Sequence, residues 1–183
     1  MTNNAALLTL GNMPNIIRRI ANLKKEFRFM KTSEDTYTPK GSHIKSASAR
    51  ALSKMAVNLD VTIASARDLS RLARTGLYAT SFETFAKKGF SRKEMEWIIP
   101  PRTLSHRLKN NERLTIDESD KLIRAAKIQA LAFEVVGNEE KASAWLHKER
   151  KIFDGLSAME LMKTELGAQI VEEALIQLDE GYF

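Results

Sequence analysis

The chain has 183 residues, a net charge of +6, and 43% hydrophobic and 28% charged residues, the balance of a globular protein rather than a disordered or fibrous one. It has no cysteine, which excludes disulfides and thiolate metal sites. No apolar run approaches the roughly 20 residues needed to span a bilayer. Leu7, Leu8 and Leu10 form too short a run, with no positive charge before it, for a signal peptide. A soluble, cytoplasmic protein is expected, with no membrane partner.

The charge is unevenly placed. Residues 1–60 carry 10 Lys/Arg against 4 Asp/Glu, residues 61–136 carry 14 against 9, and residues 137–183 carry 5 against 10. A basic front suits a polyanion, and an acidic back suits a basic protein surface. The alternative is ordinary variation over a solvated surface.

In chain order, Pro14 is followed by Ile16, Ile20, Leu23, Phe27 and Met30 at helical spacing, with Arg18, Arg19, Lys24, Lys25 and Arg28 between them. Such a stripe either packs on the body of its own protein, the reading preferred here, or grips DNA, a membrane surface or another protein. Residues 32–43 (TSEDTYTPKGSH) read as a linker. From residue 81 the helix signals become regular. Ser81 precedes Phe82, Phe85 and Ala86, and Gly89 closes that run. Ser91 and Glu94 have the spacing of a capping box, predicting a second short helix from Arg92 to about Ile98. Pro100 and Pro101 interrupt the chain, and proline fits the first turn of a new helix, here Arg102 to Lys109. Thr115 and Glu118 form a second box, starting a helix with Leu122, Ile123, Ala126, Ala130 and Phe133 on one face, which Gly137 stops. Glu139 to Leu146 reads as another helix. Ser157 and Glu160 form a third box, and a last helix carries Val171, Ala174, Leu175 and Leu178 on one face.

Three short helices in close succession over residues 81–109, the last two joined by a tight turn, have the spacing of a helix-turn-helix. Leu104 and Leu108 should face the core. That leaves Arg102, Thr103, Ser105, His106, Arg107 and Lys109 for an outer surface that suits base edges and phosphates. Arg92 and Lys93 fall at a helix start, where backbone N–H groups favour a phosphate. Trp97, between Met95 and Ile98, reads as core rather than as a base-stacking residue. The competing reading of the whole segment is a solvated basic face on a helical protein.

From about Leu77 to the end, the chain resembles the Xre antitoxins of RES–Xre toxin–antitoxin modules, within the wider Xre/MbcA/ParS-type family. The matching stretches are Phe90-Ser91, Arg102-Thr103-Leu104 with Arg107, Leu114-Thr115 with Asp117 through Leu122, and Ala132 through Gly137. They continue with Lys141-Ala142 and Trp145-Leu146, Gly155-Leu156-Ser157, Leu161 through Gly167, Val171 and Gly181. His147-Lys148-Glu149-Arg150 and Ala158 stand where the family often has a Pro-Asn-like pair and a proline. The resemblance implies an all-α protein: an Xre-like helix-turn-helix bundle over 61–136, followed by a small helical toxin-binding domain over 137–183, with 1–60 as a basic extension. It implies a dimeric antitoxin, also found in larger toxin–antitoxin complexes, that represses its own operon by binding operator DNA and neutralises a RES-type, NAD-consuming toxin.

In the C-terminal part, Trp145, Phe153, Gly155, Glu180, Gly181, Tyr182 and Phe183 are the candidate toxin-binding residues. Core packing is the favoured role for Trp145. The closing aromatics Tyr182 and Phe183 read as partner anchors, or as rings folded back on their own surface. No catalytic site, metal or cofactor is expected: His43, His106 and His147 lie far apart, the eight glycines are scattered, and the carboxylates serve caps and outer faces. The alternative function is a stand-alone transcription regulator whose C-terminal helices only dimerise.

Overall fold

The computed structural model describes residues 47–181, and these are helical with no named strand. The stripe over 14–30, the linker at 32–43, Tyr182 and Phe183 lie outside the described residues. The helices are α1 (Ala47–Leu59), α2 (Ala66–Thr75), α3 (Ala79–Ala86), α4 (Pro101–Lys109), α5 (Ile116–Val136), α6 (Glu139–His147), α7 (Ala158–Leu161) and α8 (Glu165–Asp179). A 3₁₀ turn, Lys151–Phe153, separates α6 from α7.

Helix α5 is the centre of the molecule. The Thr115 hydroxyl accepts from the Glu118 N–H at 3.2 Å and the Glu118 carboxylate accepts from the Thr115 N–H at 2.7 Å, so the predicted box starts the helix. Gly137 closes it in the left-handed region, φ 92°, where a residue with a Cβ is disfavoured. Its buried residues are Leu122, Ile123, Ala125, Ala126, Ile128, Ala130, Leu131 and Ala132, with Ser119 and Gln129 among them. They cover most of the helix circumference, because α1, α2, α6 and α8 all pack against it.

Helix α1 falls in the segment expected to be an extension, and it packs against α5 more extensively than any other helix does. Ala47, Ala51, Met55 and Leu59 recur every four residues and all are buried in the same core as α5. The Asn58 amide donates to Gln129 Oε1 at 2.5 Å, and Gln129 Nε2 donates to the Lys88 carbonyl at 2.9 Å. One buried polar line thus ties α1 and α5 to the end of α3. Arg50 of α1 reaches Glu134 at 2.9 Å and Asp179 at 3.8 Å, while Lys54 reaches Glu139 at 3.2 Å.

Three local expectations differ from the structure. The first helix of the motif begins at Ala79, not after Ser81, which is buried within it. The preceding stretch is held extended by Leu114 N–H to Leu77 O at 2.7 Å and Ala79 N–H to Glu112 O at 3.1 Å, so the helix starts as soon as that pairing ends. The segment 92–98 is not an α-helix but a run of turns, closed by Met95 N–H to Arg92 O at 3.2 Å and Ile98 N–H to Met95 O at 2.9 Å. Pro100 and Pro101 have no N–H for the carbonyls four residues back, and a residue before proline is pushed out of the α region. The Ser157–Glu160 box starts only the single-turn α7; α8 has its own cap, Thr164, whose hydroxyl accepts from the Gly167 N–H at 3.1 Å.

Met55→Ala should destabilise the chain by about 2–4 kcal/mol, because Met55 is fully buried against α5. Val57→Ala on the same helix, where the side chain is 66% exposed, should change little. Denaturant unfolding of the two variants measures this, and equal, small effects would show that α1 is not part of the cooperative core.

Candidate functional sites

The motif is built from α3, the 92–98 turns and α4. Phe82 and Phe85 of α3, Met95 and Ile98 of the turns and Leu104 of α4 are buried together, and Trp97 packs partly buried against them. This leaves an outer surface on which the candidate DNA-binding residues behave differently. Lys93, Arg102 and Lys109 are exposed, and their side chains have no hydrogen bond or ion pair among the described residues. Arg92 is exposed but pairs with Glu83 at 2.6 Å. Ser105 donates its hydroxyl proton to the Pro101 carbonyl at 2.9 Å, Thr103 is half-buried, and the exposed His106 ring lies 3.5 Å from Glu112.

Arg107 departs from the expected outward position. Its side chain is only 19% exposed, with Nη1 donating to the Arg113 carbonyl at 2.8 Å and Nη2 lying 3.3 Å from Glu118. It sits three residues after Leu104 and is drawn under α4 by the carboxylate of the box that starts α5. It ties α4 to the central helix. Outside the expected set, Arg67 and Arg74 on α2 and Lys87 just after α3 are also exposed, with no side-chain partner among the described residues. The signal for α2 was present in the Ser65-x-x-Asp68 spacing ahead of Leu69, Leu72 and Ala73, and the Asp68 carboxylate accepts from the Ser65 N–H at 2.9 Å.

The Ser91–Glu94 box forms even though no α-helix follows it. Glu94 Oε2 accepts from the Ser91 N–H at 2.8 Å and the Ser91 hydroxyl at 2.6 Å, and Glu94 Oε1 lies 2.7 Å from His147 Nε2. Partial burial pushes the Glu94 carboxyl up, but the Ser91 groups and the His147 ring outweigh it and hold the carboxyl below its ordinary value.

In the C-terminal part, α6, the 3₁₀ turn, α7 and α8 enclose Trp145 (1% exposed) and Phe153 (3%), whose rings meet edge to face at 6.1 Å. The buried Arg150 guanidinium lies 4.7 Å over the Trp145 ring, and the Arg150 backbone exchanges bonds with Gly155 and Leu156. Trp145 and Phe153 are therefore not surface groups; they support the loop at Asp154–Leu156 from beneath. Gly155, Glu180 and Gly181 are exposed. Leu166 (74% exposed) and Ile170 (49%) lie four apart on the outer face of α8, and Leu156 is exposed on the loop. These three lay outside the sequence expectation because the helical period assigns only Val171, Ala174, Leu175 and Leu178 to a buried face.

Two family models match the chain in succession. Residues 68–127 match the antitoxin Xre-like helix-turn-helix domain. Residues 131–181 match the antitoxin Xre/MbcA/ParS C-terminal toxin-binding domain. The chain belongs to the Xre/MbcA/ParS antitoxin family. It is similar to an antitoxin Xre of Pseudomonas putida, 46% identical over 89 residues, which are 49% of this chain and 56% of that protein. It is also similar to an antitoxin Xre of Yersinia enterocolitica, 30% identical over 86 residues, 46% of this chain and 58% of that protein. The chain thus spans a little over half the length of these curated relatives. The antitoxin helix-turn-helix match covers α2 through the first half of α5, and the toxin-binding match covers the rest of α5 through Gly181. Among the described residues of this antitoxin-family chain, no helix is long and apolar enough to cross a membrane.

Two predictions separate structural from surface roles. Arg107→Ala should cost about 1–3 kcal/mol of stability by stranding Glu118, whereas Arg102→Ala should leave stability within about 0.5 kcal/mol; thermal or denaturant melts compare them, and equal losses would refute the distinction. For Glu94, the folded carboxyl titrates below its ordinary 4.5. The stabilisation is therefore complete above that ordinary value and is lost as the pH falls through the folded one. The difference in melting temperature between the native chain and Glu94→Gln should narrow between about pH 6 and pH 3, and a constant difference would show that the ionised carboxylate contributes nothing.

Proposed function

We propose that this chain is the antitoxin of a type II toxin–antitoxin module, which neutralises a RES-type, NAD-consuming toxin through its C-terminal unit and represses its own operon through the helix-turn-helix. The observation that carries the reading is the succession of a helix-turn-helix match and a toxin-binding match, in that order. The RES assignment is supported by the Arg102-Thr103-Leu104, Leu114 through Leu122 and Lys141 through Leu146 stretches that resemble RES–Xre antitoxins. The homodimer, with its larger complex with toxin, rests on the same resemblance.

On this reading operator DNA meets Lys93, Arg102 and Lys109, whose charges are not spent on internal partners. Thr103, Ser105 and His106 are close enough to contribute contacts from the same helix. Arg107 acts by holding α4 in place, and Arg92 joins the contact by exchanging Glu83 for a phosphate. The toxin meets Leu156, Leu166 and Ile170, and Gly155, Glu180, Gly181, Tyr182 and Phe183 are further candidate contacts. Large apolar side chains left in solvent are the usual anchors of a protein interface.

Co-expression with the adjacent toxin gene tests the reading. The full chain should restore growth and co-purify with the toxin. A chain ending at Asp179, and the Leu166→Asp/Ile170→Asp variant, should lose rescue while melting like the parent. A neighbour that is harmless alone and does not co-purify would leave only a DNA-binding regulator. Full rescue by both variants would move the toxin surface elsewhere.

A further inference from the structure

We propose that His147, a residue of the C-terminal unit, positions the DNA-facing end of the helix-turn-helix by clasping Glu94. The inference rests on the DNA-binding reading above and adds to it a dependence on the second unit.

The segment that follows Ser91 carries Arg92 and Lys93, yet it is weakly built. It has only three-residue turns, the Glu96 N–H reaching the Lys93 carbonyl at 3.4 Å, and no α-helical ladder. A segment of that kind needs support from outside itself. One support is Glu94, whose Oε2 takes both donors of Ser91. The other oxygen of the same carboxylate, Oε1, is 2.7 Å from His147 Nε2, across 53 positions of sequence. The opposite ring nitrogen, His147 Nδ1, is 2.7 Å from the Ser143 carbonyl, one turn back on α6. The ring is thus held at both nitrogens, between the Ser143 carbonyl and the Glu94 carboxylate. The ring has an aromatic neighbour as well: the His147 ring centroid lies 6.2 Å from that of Phe90, tilted by 37°, and Phe90 lies 5.2 Å from Phe85 of α3.

The clasp therefore runs from the body of α6 through one imidazole to the carboxylate that starts the Arg92–Lys93 turn. Both side chains are more than a third exposed, and an exposed pair of this kind adds little to global stability. What it constrains is the direction of the turn relative to α4.

The test is titration of the full chain with a duplex from the promoter upstream of its own gene, at several salt concentrations, for the native protein and for His147→Ala, His147→Gln and Arg102→Ala. Glutamine places an amide N–H near the position of the ring Nε2. His147→Ala should weaken binding about two- to fivefold, the span that one exposed charged pair supports. It should leave the salt slope and melting temperature unchanged, and His147→Gln should recover most of the loss. Arg102→Ala should weaken binding and reduce the salt slope by about one. Native-like binding by His147→Ala beside a weakened Arg102→Ala would overturn the clasp alone. So would equal loss and equal melting-point depression in both His147 variants, or a salt slope reduced by His147→Ala, which would make His147 a direct phosphate contact. Failure of the native chain to bind the duplex would sink the DNA-binding reading, and the clasp with it.

Discussion

One helix, α5, has to be apolar almost all the way round, and the rest of the molecule follows from that constraint. Ala125, Ala126, Ala130 and Ala132 alternate with Leu122, Ile128 and Leu131, so neighbouring helices approach closely at the small residues and interlock at the large ones. A helix with this composition cannot sit on a surface; it has to be covered from several directions. Helices α1 and α2 come from before the motif, and α6 and α8 from after it. The two family matches meet within this helix. The helix-turn-helix domain and the C-terminal domain therefore share a single helix, instead of being joined by a linker. The buried line from Asn58 through Gln129 to the Lys88 carbonyl fixes the register of α1 on it, since any slip would strand a buried amide.

Polar start and stop signals were the legible part of the sequence. The Thr115 and Ser157 boxes, Gly137 and the proline start of α4 all act through backbone groups within a few residues, and local chemistry of that kind is readable without a fold. Helix α1 was not legible because its buried face is two alanines, Met55 and Leu59, a stripe too thin to stand out, and because its partner lies about seventy positions away. The turns at 92–98 obeyed their capping box but not the length expected from it. The deciding factor was two prolines beyond the segment that could not complete its hydrogen bonds. Arg107 shows the limit for site residues. Periodicity placed it outside, yet Glu118, eleven positions on, supplied a carboxylate that drew it inward.

The same distinction decides which charges are free for a partner. A count of Lys and Arg overstates the basic surface, because Arg92, Arg107, Arg113, Lys121 and Arg124 already make internal contacts. A cation that is already paired must give up its partner before it meets a phosphate, and that exchange reduces the net gain. Lys93, Arg102 and Lys109 make no such exchange, and they occupy the two elements that the motif turns outward. The unevenness of charge along the sequence marks a broad region. Internal pairing then reduced it to a few side chains.

The C-terminal unit applies the reverse logic to apolar groups. The inner face of α8 is filled by Gly167, Ala168, Val171, Ala174 and Leu175, and at Gly167 a methyl group would run into the Leu161 carbonyl. So small an inner face brings α8 close to its neighbours and leaves Leu166 and Ile170 no route inward. Beside it, the largest aromatic of the unit is spent inside: Trp145 is covered by Phe153 and by the Arg150 guanidinium, and the same residues hold the backbone of the Arg150–Leu156 loop closed. A loop stiffened from within presents Leu156 in one position, and a rigid anchor loses less conformational entropy when a partner closes over it. On the proposed reading, burying Trp145 and Phe153 serves binding indirectly. They contribute no contact area of their own, and they fix the geometry of the apolar groups that remain outside.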